Sequence, residues 1–298
     1  MLTSPAVSVS VVVVNWNAGP ALAACLASLE ADARAGTEVI VVDNASSDGS
    51  TEAAHARHPW ARALTLPANV GFARGANAGA AEARGSVLVF LNPDARLEAR
   101  ALPRLVAALE AEPQSAIAGG GLTDEAGRWQ PGAARFGVVG HLLLDTTVGR
   151  MAARSRRGPY PVDWVYGTFV AVRRDVFERL GGFDGSYFIY GEDLDLCHRA
   201  AAAGWGTLHV PAAVAVHGCN LSATTRFGLG RDAAVVAGEL RFFARRGGRG
   251  AAALYRTLAG TKFGLKAVLA ALVGRTTTAR RALLVVRTCL RPGEGLPT

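Results

Sequence analysis

Several features are scarce in this 298-residue chain, and each scarcity narrows the reading. Its four cysteines, Cys25, Cys197, Cys219 and Cys289, are scattered with no C-x-x-C pair. That spacing argues against a zinc site or a disulfide framework and for reduced thiols in a cytosolic protein. No apolar run reaches the ~18–20 residues of a membrane span. The N-terminus lacks a basic segment followed by an apolar stretch and a cleavage site, so no secretory signal is read there. No Ser-His-Asp or Cys-His arrangement is apparent, so covalent nucleophilic catalysis has no candidate. Acidic residues are scarce only at one end. Residues 219–298 hold 14 Lys/Arg against 3 Asp/Glu, whereas residues 1–218 hold 18 against 21. The net charge of +8 therefore belongs to the tail.

Half of the residues are apolar and 19% are charged, so the chain is globular and long enough for an ample core. The apolar run Val87–Leu91 reads as a strand buried on both faces, the habit of parallel sheets. It stops at Asn92-Pro93-Asp94, where proline cannot continue a central ladder. A carboxylate thus stands at the carboxyl end of a buried strand, the edge at which open α/β sheets bind ligands. The alternative for Asp94 is a local turn cap.

The flanking chain repeats that pattern. Val7–Val14 is a strand broken by Asn15-Trp16-Asn17, and Leu22, Cys25, Leu26 and Leu29 recur at helical spacing. Glu38–Asp43 is a second strand ending in an acid. A turn-rich stretch follows, with a helix starting near Ser50. Leu64–Leu66 is a weak strand, and Asn69–Gly79 opens an alanine-rich helix. Alternation of this kind argues a parallel, doubly wound α/β sheet. Helices are expected over 97–112, Arg174–Leu180 and Asp193–Ala203, with strands over Val165–Val172 and Thr207–Val216. Gly119–Pro161, rich in Gly and Arg, reads as a mobile, substrate-facing insert.

Four stretches carry chemistry. Asp43 either accepts a hydrogen bond from an imide N–H or a ribose hydroxyl, or caps its turn. Gly71, Gly75 and Gly79, with Arg74 among them ahead of a helix, suit close approach of a diphosphate to a helix N-terminus. They fit neither G-x-G-x-x-G nor G-x-x-x-x-G-K-[ST], and close helix packing is the other account of Gly75 and Gly79. In Glu192-Asp193-Leu194-Asp195, capping explains one acid, and a carboxylate in a partly apolar pocket can serve as general base. His217 follows an apolar strand and makes chemical sense beside Asp94 on one divalent cation.

Taken together, these motifs resemble glycosyltransferase family 2, inverting nucleotide-sugar enzymes of the GT-A fold. The carriers are Val11–Asn17, Val41–Ser50, Asn69–Asn77, Leu91–Asp94 and Gly191–Asp195, and the likeness runs from about Val7 to Ser222. It implies a Rossmann-like, mostly parallel sheet flanked by helices over residues 1–222. It also implies a nucleotide-sugar site of Asn15, Asp43, Asn69, Gly71, Arg74, Asn77, Asn92 and Asp94, with Asp43 on the pyrimidine. Asp94 and His217 would hold Mg²⁺ or Mn²⁺, and Asp193 would be the base with Glu192 beside it. Asn92 departs from the acid many members carry, leaving Asp94 as the main metal carboxylate. The Leu-Asn-Pro-Asp form is similar to the rhamnosyltransferase branch. The implied donor is a dTDP- or UDP-sugar, dTDP-L-rhamnose first, and the acceptor a cell-surface glycan or its polyprenyl-linked precursor. A sugar nucleotidyltransferase and a non-catalytic nucleotide- or glycan-binding module are the alternatives.

Residues 223–298 read as a basic helical region. Leu254, Leu258, Leu265, Leu269 and Leu272 fall on one helical stripe flanked by Lys262 and Lys266, a pattern suited to an anionic membrane surface. Packing of those leucines on the body is the other account. Aromatics are sparse among the charges, so no nucleic-acid partner is expected. The expected location is cytoplasmic, peripheral on the inner face of the membrane.

Overall fold

The first strands are valine runs because both their faces are covered. In the computed structural model, which describes residues 8–137, 158–218 and 227–291, β1 (Val9–Asn15), β2 (Glu38–Asp43), β3 (Arg62–Thr65) and β4 (Val87–Leu91) lie side by side and parallel. Val12, Val14, Ile40, Val42, Leu88 and Phe90 point into one apolar cluster, while Val11, Val13, Val39, Val41, Val89 and Leu91 point into another. The period of two along each strand thus feeds two cores. The second core is closed by α1 (Pro20–Arg34), α2 (Ser50–Arg57) and α4 (Ala101–Ala111), where α1 buries Leu22, Cys25, Leu26 and Leu29. The first is closed by α3 (Phe72–Glu82), α5 (Arg174–Arg179) and α6 (Glu192–Ala202). Each fully buried leucine contributes about 1.5–3 kcal/mol, against at most ~1 kcal/mol for an exposed ion pair such as Arg34–Glu30. Core burial, not surface charge, holds the sandwich together.

The sheet continues through β5 (Ala95–Leu97), β6 (Ser115–Thr123), β7 (Trp129–Gln130), β9 (Tyr160–Val162), β11 (Phe169–Arg173) and β12 (Gly206–His217). Its order is β3-β2-β1-β4-β11-β6-β12-β5, with β7 on β6 and β9 on β12. Six strands run in one direction, and β11 runs against its neighbours β4 and β6. The sheet is thus mostly parallel, as expected, with β11 as an antiparallel strand inside it. The single strand expected over Val165–Val172 is two. β10 (Trp164–Val165) leaves to pair with β8 (Ala133–Ala134), and only Phe169–Arg173 joins the main sheet.

The expected insert from Gly119 begins inside β6, which is buried along its whole length at the sheet's centre. Its Gly119-Gly120-Gly121 run hides the strand in the sequence but is required by packing. A Cβ on Gly119 would lie 2.4 Å from the Val165 Cβ, and one on Gly120 2.3 Å from Phe169 Cδ1. The same span also holds β7, β8 and the start of β9, and its residues 138–157 lie outside the described residues.

The basic region is helical: α7 (Arg231–Phe242), a π-turn at Phe243–Gly247, α8 (Gly248–Leu272) and α9 (Thr276–Leu290). Gly260 meets Cys289 and Gly264 meets Val286, so α8 and α9 form an antiparallel hairpin. Val236, Leu240, Phe243, Tyr255 and Val285 share the apolar cluster that contains Val12 and Phe90. Among the described residues no helix is long and apolar enough to cross a membrane.

Candidate active site

The carboxyl edge of the sheet gathers what the sequence spread over some two hundred residues. Asn15 and Asp43 end neighbouring strands in register. Asn15 is buried, and its Nδ2 approaches the hydroxyls of Ser46, Ser50 and Thr51 at 2.8–3.1 Å. It shapes the loop after β2. Asp43 Oδ1 accepts the Ser46 N–H at 3.0 Å in that loop. Asn44, which the motif reading passed over, ties the edge to the next loop. Its Nδ2 donates to Asn69 Oδ1 and the Gly71 carbonyl, and its Oδ1 accepts the Val70 N–H.

Gly71 has φ +84°, and a Cβ there would sit 2.3 Å from the Phe188 carbonyl oxygen, so only glycine fits where this loop meets the 181–191 segment. Gly79 serves close packing, since a Cβ on it would lie 2.5 Å from Val12 Cγ1. Arg74 donates from Nε to the Gly185 carbonyl. Asn77 clamps the Phe183 backbone, donating to its carbonyl and accepting its N–H. Both side chains staple α3 to the aromatic loop.

Asp94 and His217 meet because β5 pairs antiparallel with the end of β12, placing His217 opposite Ala95. The Gly218 N–H donates to the Asp94 carbonyl at 3.0 Å. His217 Nε2 faces Asp94 Oδ1 at 3.4 Å, and both side chains are buried. That nitrogen makes no hydrogen bond, while Nδ1 lies 3.3 Å from Gln130 Oε1. A buried imidazole nitrogen without a hydrogen bond beside a carboxylate is a donor set that fits Mn²⁺ or Mg²⁺. Among the described residues no cluster of three or more His, Cys, Asp or Glu side chains could hold a metal. Two protein ligands suit a cation completed by substrate phosphates and water.

The acidic cluster at the start of α6 divides into different roles. Asp195 is fully buried, held by Arg199 Nε at 2.6 Å and Arg246 Nε at 2.7 Å, and it joins α6 to the π-turn after α7. Glu192 is buried with Oε2 lacking a hydrogen-bond partner. Burial, and then the adjacent Asp193 charge, raise its carboxyl well above the usual range. Asp193 is half-buried. Burial raises it too, opposed by the backbone N–H groups of Gly167 at 2.8 Å and Leu194 at 2.7 Å. Donors to the charged form favour ionisation. Burial therefore raises both carboxyls, and the two backbone donors on Asp193 oppose it there.

A cavity of about 510 Å³ opens at this edge, lined by Asn69, Gly71, Asn92, Asp94, Glu192, Asp193 and His217, a volume within the range of small-molecule sites. Asn15, Asp43, Arg74 and Asn77 stand outside that lining. The far wall comes from the basic region: Arg231, Asp232, Glu239, Tyr255, Lys262 and Lys266. Tyr255 donates its hydroxyl to Glu239. None of these six residues stands in a motif that the sequence ties to the site. Only the two lysines had a sequence signal, as flanks of the leucine stripe.

The cavity lies at the carboxyl edge of a mixed, helix-flanked sheet and has the Asp94–His217 pair in its lining, an arrangement that suits a transferase of the α/β class with its ligand at the strand ends. The family model for glycosyl transferase family 2 matches residues 10–181, and the chain belongs to that family. It is 32% identical over 231 residues, 70% of this chain and 75% of the relative, to N-acetylglucosaminyl-diphospho-decaprenol L-rhamnosyltransferase of Mycobacterium tuberculosis strain H37Rv. The mannosyltransferase PcManGT from Pyrobaculum calidifontis, solved with GDP-Man and Mn²⁺, is similar in fold. Its TM-score is 0.59 at 20% identity, covering 97% of this chain and 88% of that one. GalNAc-T7 with UDP, GalNAc and Mn²⁺ superposes with a TM-score of 0.56 at 19% identity, over 71% of this chain and 43% of its own.

Proposed function

We propose that this glycosyltransferase moves a sugar, L-rhamnose from dTDP-rhamnose being the first donor to test, onto a polyprenyl-diphosphate-linked glycan with inversion at the anomeric carbon. The observation that carries the reading is the placement of the Asp94–His217 pair and Asp193 in one cavity. The M. tuberculosis relative is named for this donor sugar and this acceptor class, which supports the substrate choice.

In this reading Asp43 accepts a hydrogen bond from the pyrimidine imide. Asn69 and Asn92 border the donor, and Asn15 and Asn77 act by holding the loops around it. The N-terminus of α3 and Arg74 in its first turn favour the diphosphate. Asp94 and His217 would hold Mg²⁺ or Mn²⁺, which when bound offsets the charge of the departing nucleoside diphosphate. Asp193, oriented by the two backbone N–H groups, takes the proton from the acceptor hydroxyl as that oxygen attacks the anomeric carbon and the diphosphate leaves. Glu192 remains protonated, so no second negative charge opposes the approach of the diphosphate-bearing donor. Residues 1–222 then form the donor domain, and residues 223–298 form the basic helical region that completes the cavity and rests on an anionic membrane.

A thermal-shift panel of nucleoside diphosphates with and without Mn²⁺ tests this on wild type, Asp94→Ala and Asp193→Asn. A ligand bound only by the native state raises the midpoint by mass action. dTDP or UDP is expected to raise it only with Mn²⁺. Asp94→Ala should lose the shift, whereas Asp193→Asn should keep it while turnover falls by about 10²-fold or more. A panel with no shift for any nucleotide rejects the donor site.

A further inference from the structure

α8 faces two environments. Toward the catalytic cavity it presents Lys262, Phe263 and Lys266. The two ammonium groups lie 5.9 and 5.3 Å from the centre of the Phe263 ring, a contact that steadies both cations on one side of the helix. Outside the cavity lining it presents Leu265, Val268, Leu269 and Leu272, exposed by 60, 57, 54 and 77%. These are large apolar side chains that a water-facing helix would not group together. At about 100° per residue, Lys266 lies roughly 40° from Lys262 on one side, and Leu269 and Leu265 roughly 20° and 60° on the other. The cationic strip and the apolar strip are therefore adjacent and parallel. α8 contains four basic residues and no Asp or Glu.

Apart from Arg231, the other charged side chains of the cavity wall are acids, Asp94, Glu192, Asp193, Asp232 and Glu239. The two lysines bring cationic charge to the side of the cavity that borders the apolar strip. An anion placed there would lie against a helix whose neighbouring strip suits hydrocarbon. We infer that Lys262 and Lys266 form the binding site for the diphosphate of the lipid-linked acceptor. The isoprenoid chain leaves across Leu265 and Leu269 into the bilayer, and the sugar reaches inward to Asp193. The inference rests on the acceptor class proposed above and adds the residues that select it. Lys262 and Lys266 are positioning and specificity residues, distinct from the donor-diphosphate site at Asp94, His217 and the α3 N-terminus.

The test uses the full chain and farnesyl diphosphate as probe, titrated calorimetrically with wild type, Lys262→Ala/Lys266→Ala and Lys262→Arg/Lys266→Arg. Farnesol serves as the control without phosphate. Wild type is expected to bind the diphosphate at least tenfold more tightly than the alanine pair, the arginine pair to restore most of that difference, and farnesol to bind all three equally. dTDP affinity with Mn²⁺ should not change across the series. Equal farnesyl diphosphate affinity in wild type and the alanine pair overturns the inference. So does a loss of dTDP affinity in its place, which would assign the lysines to the donor. Because the titration requires neither donor nor turnover, its outcome stands apart from failure of the nucleotide panel.

Discussion

Adjacent acids at the head of α6 behave differently because their hydrogen bonds differ. Asp193 receives two backbone N–H groups, whereas one oxygen of Glu192 has no partner in a buried setting. Since burial raises the Glu192 carboxyl in the folded state, the folded protein binds its proton more tightly than the unfolded chain does. Stability from this group is therefore fully present below the ordinary glutamate range and is lost as pH rises toward the folded value. Glu192→Gln removes the charge to be buried. It is expected to raise Tm at pH 8 by about 2 °C or more, given ~1 kcal/mol or more of relieved penalty, with the advantage vanishing at pH 4. Thermal melts across that range check this, and an equal shift at both pH values would assign the effect to packing. At the same scale, Asp43, Asp94 and His217 were legible in the sequence because each ends an apolar strand. Asn44 was not, since its role depends on a loop 25 residues away meeting it.

At the scale of elements, apolar runs with β-branched residues revealed β1, β2 and β4, and their lengths agree closely with the structure. β6 escaped because three glycines and two alanines carry little strand propensity. Its packing requires them, with Val165 and Phe169 pressed where side chains would stand. Gly120→Ala is accordingly expected to destabilise by about 1–3 kcal/mol or more, the usual cost of overfilling a packed interior. Denaturant unfolding measures it, and a change below ~0.5 kcal/mol would mean that Phe169 moves aside freely. The direction of β11 escaped for another reason. A short apolar run such as Phe169–Val172 reads alike whether it lies parallel or antiparallel, and only the returning chain decides.

For the whole molecule, the basic hairpin is both cavity wall and exposed surface. Leu254, Leu265, Leu269 and Leu272 are exposed, as an interfacial helix requires, while Leu258 packs against the core. The chain is expected to cosediment with vesicles containing phosphatidylglycerol, less so at 0.5 M salt, because surface charge is screened. Leu265→Gln/Leu269→Gln/Leu272→Gln should abolish the association. Undiminished binding by that variant, or none by wild type, counts against a membrane-resting hairpin.

By itself the sequence determined the α/β alternation, the acids at strand ends and the basicity of the tail. All of these are local, set by side-chain period, proline and charge within a few residues. Tertiary structure alone decided that β11 runs backwards through the sheet and that Gly119–Gly121 form its centre. It also decided that Arg246 neutralises Asp195 and that Glu239, Tyr255 and Lys262 face Asp193 across one cavity. Those pairings join residues tens of positions apart. They depend on how layers pack, and no short stretch of chain encodes that.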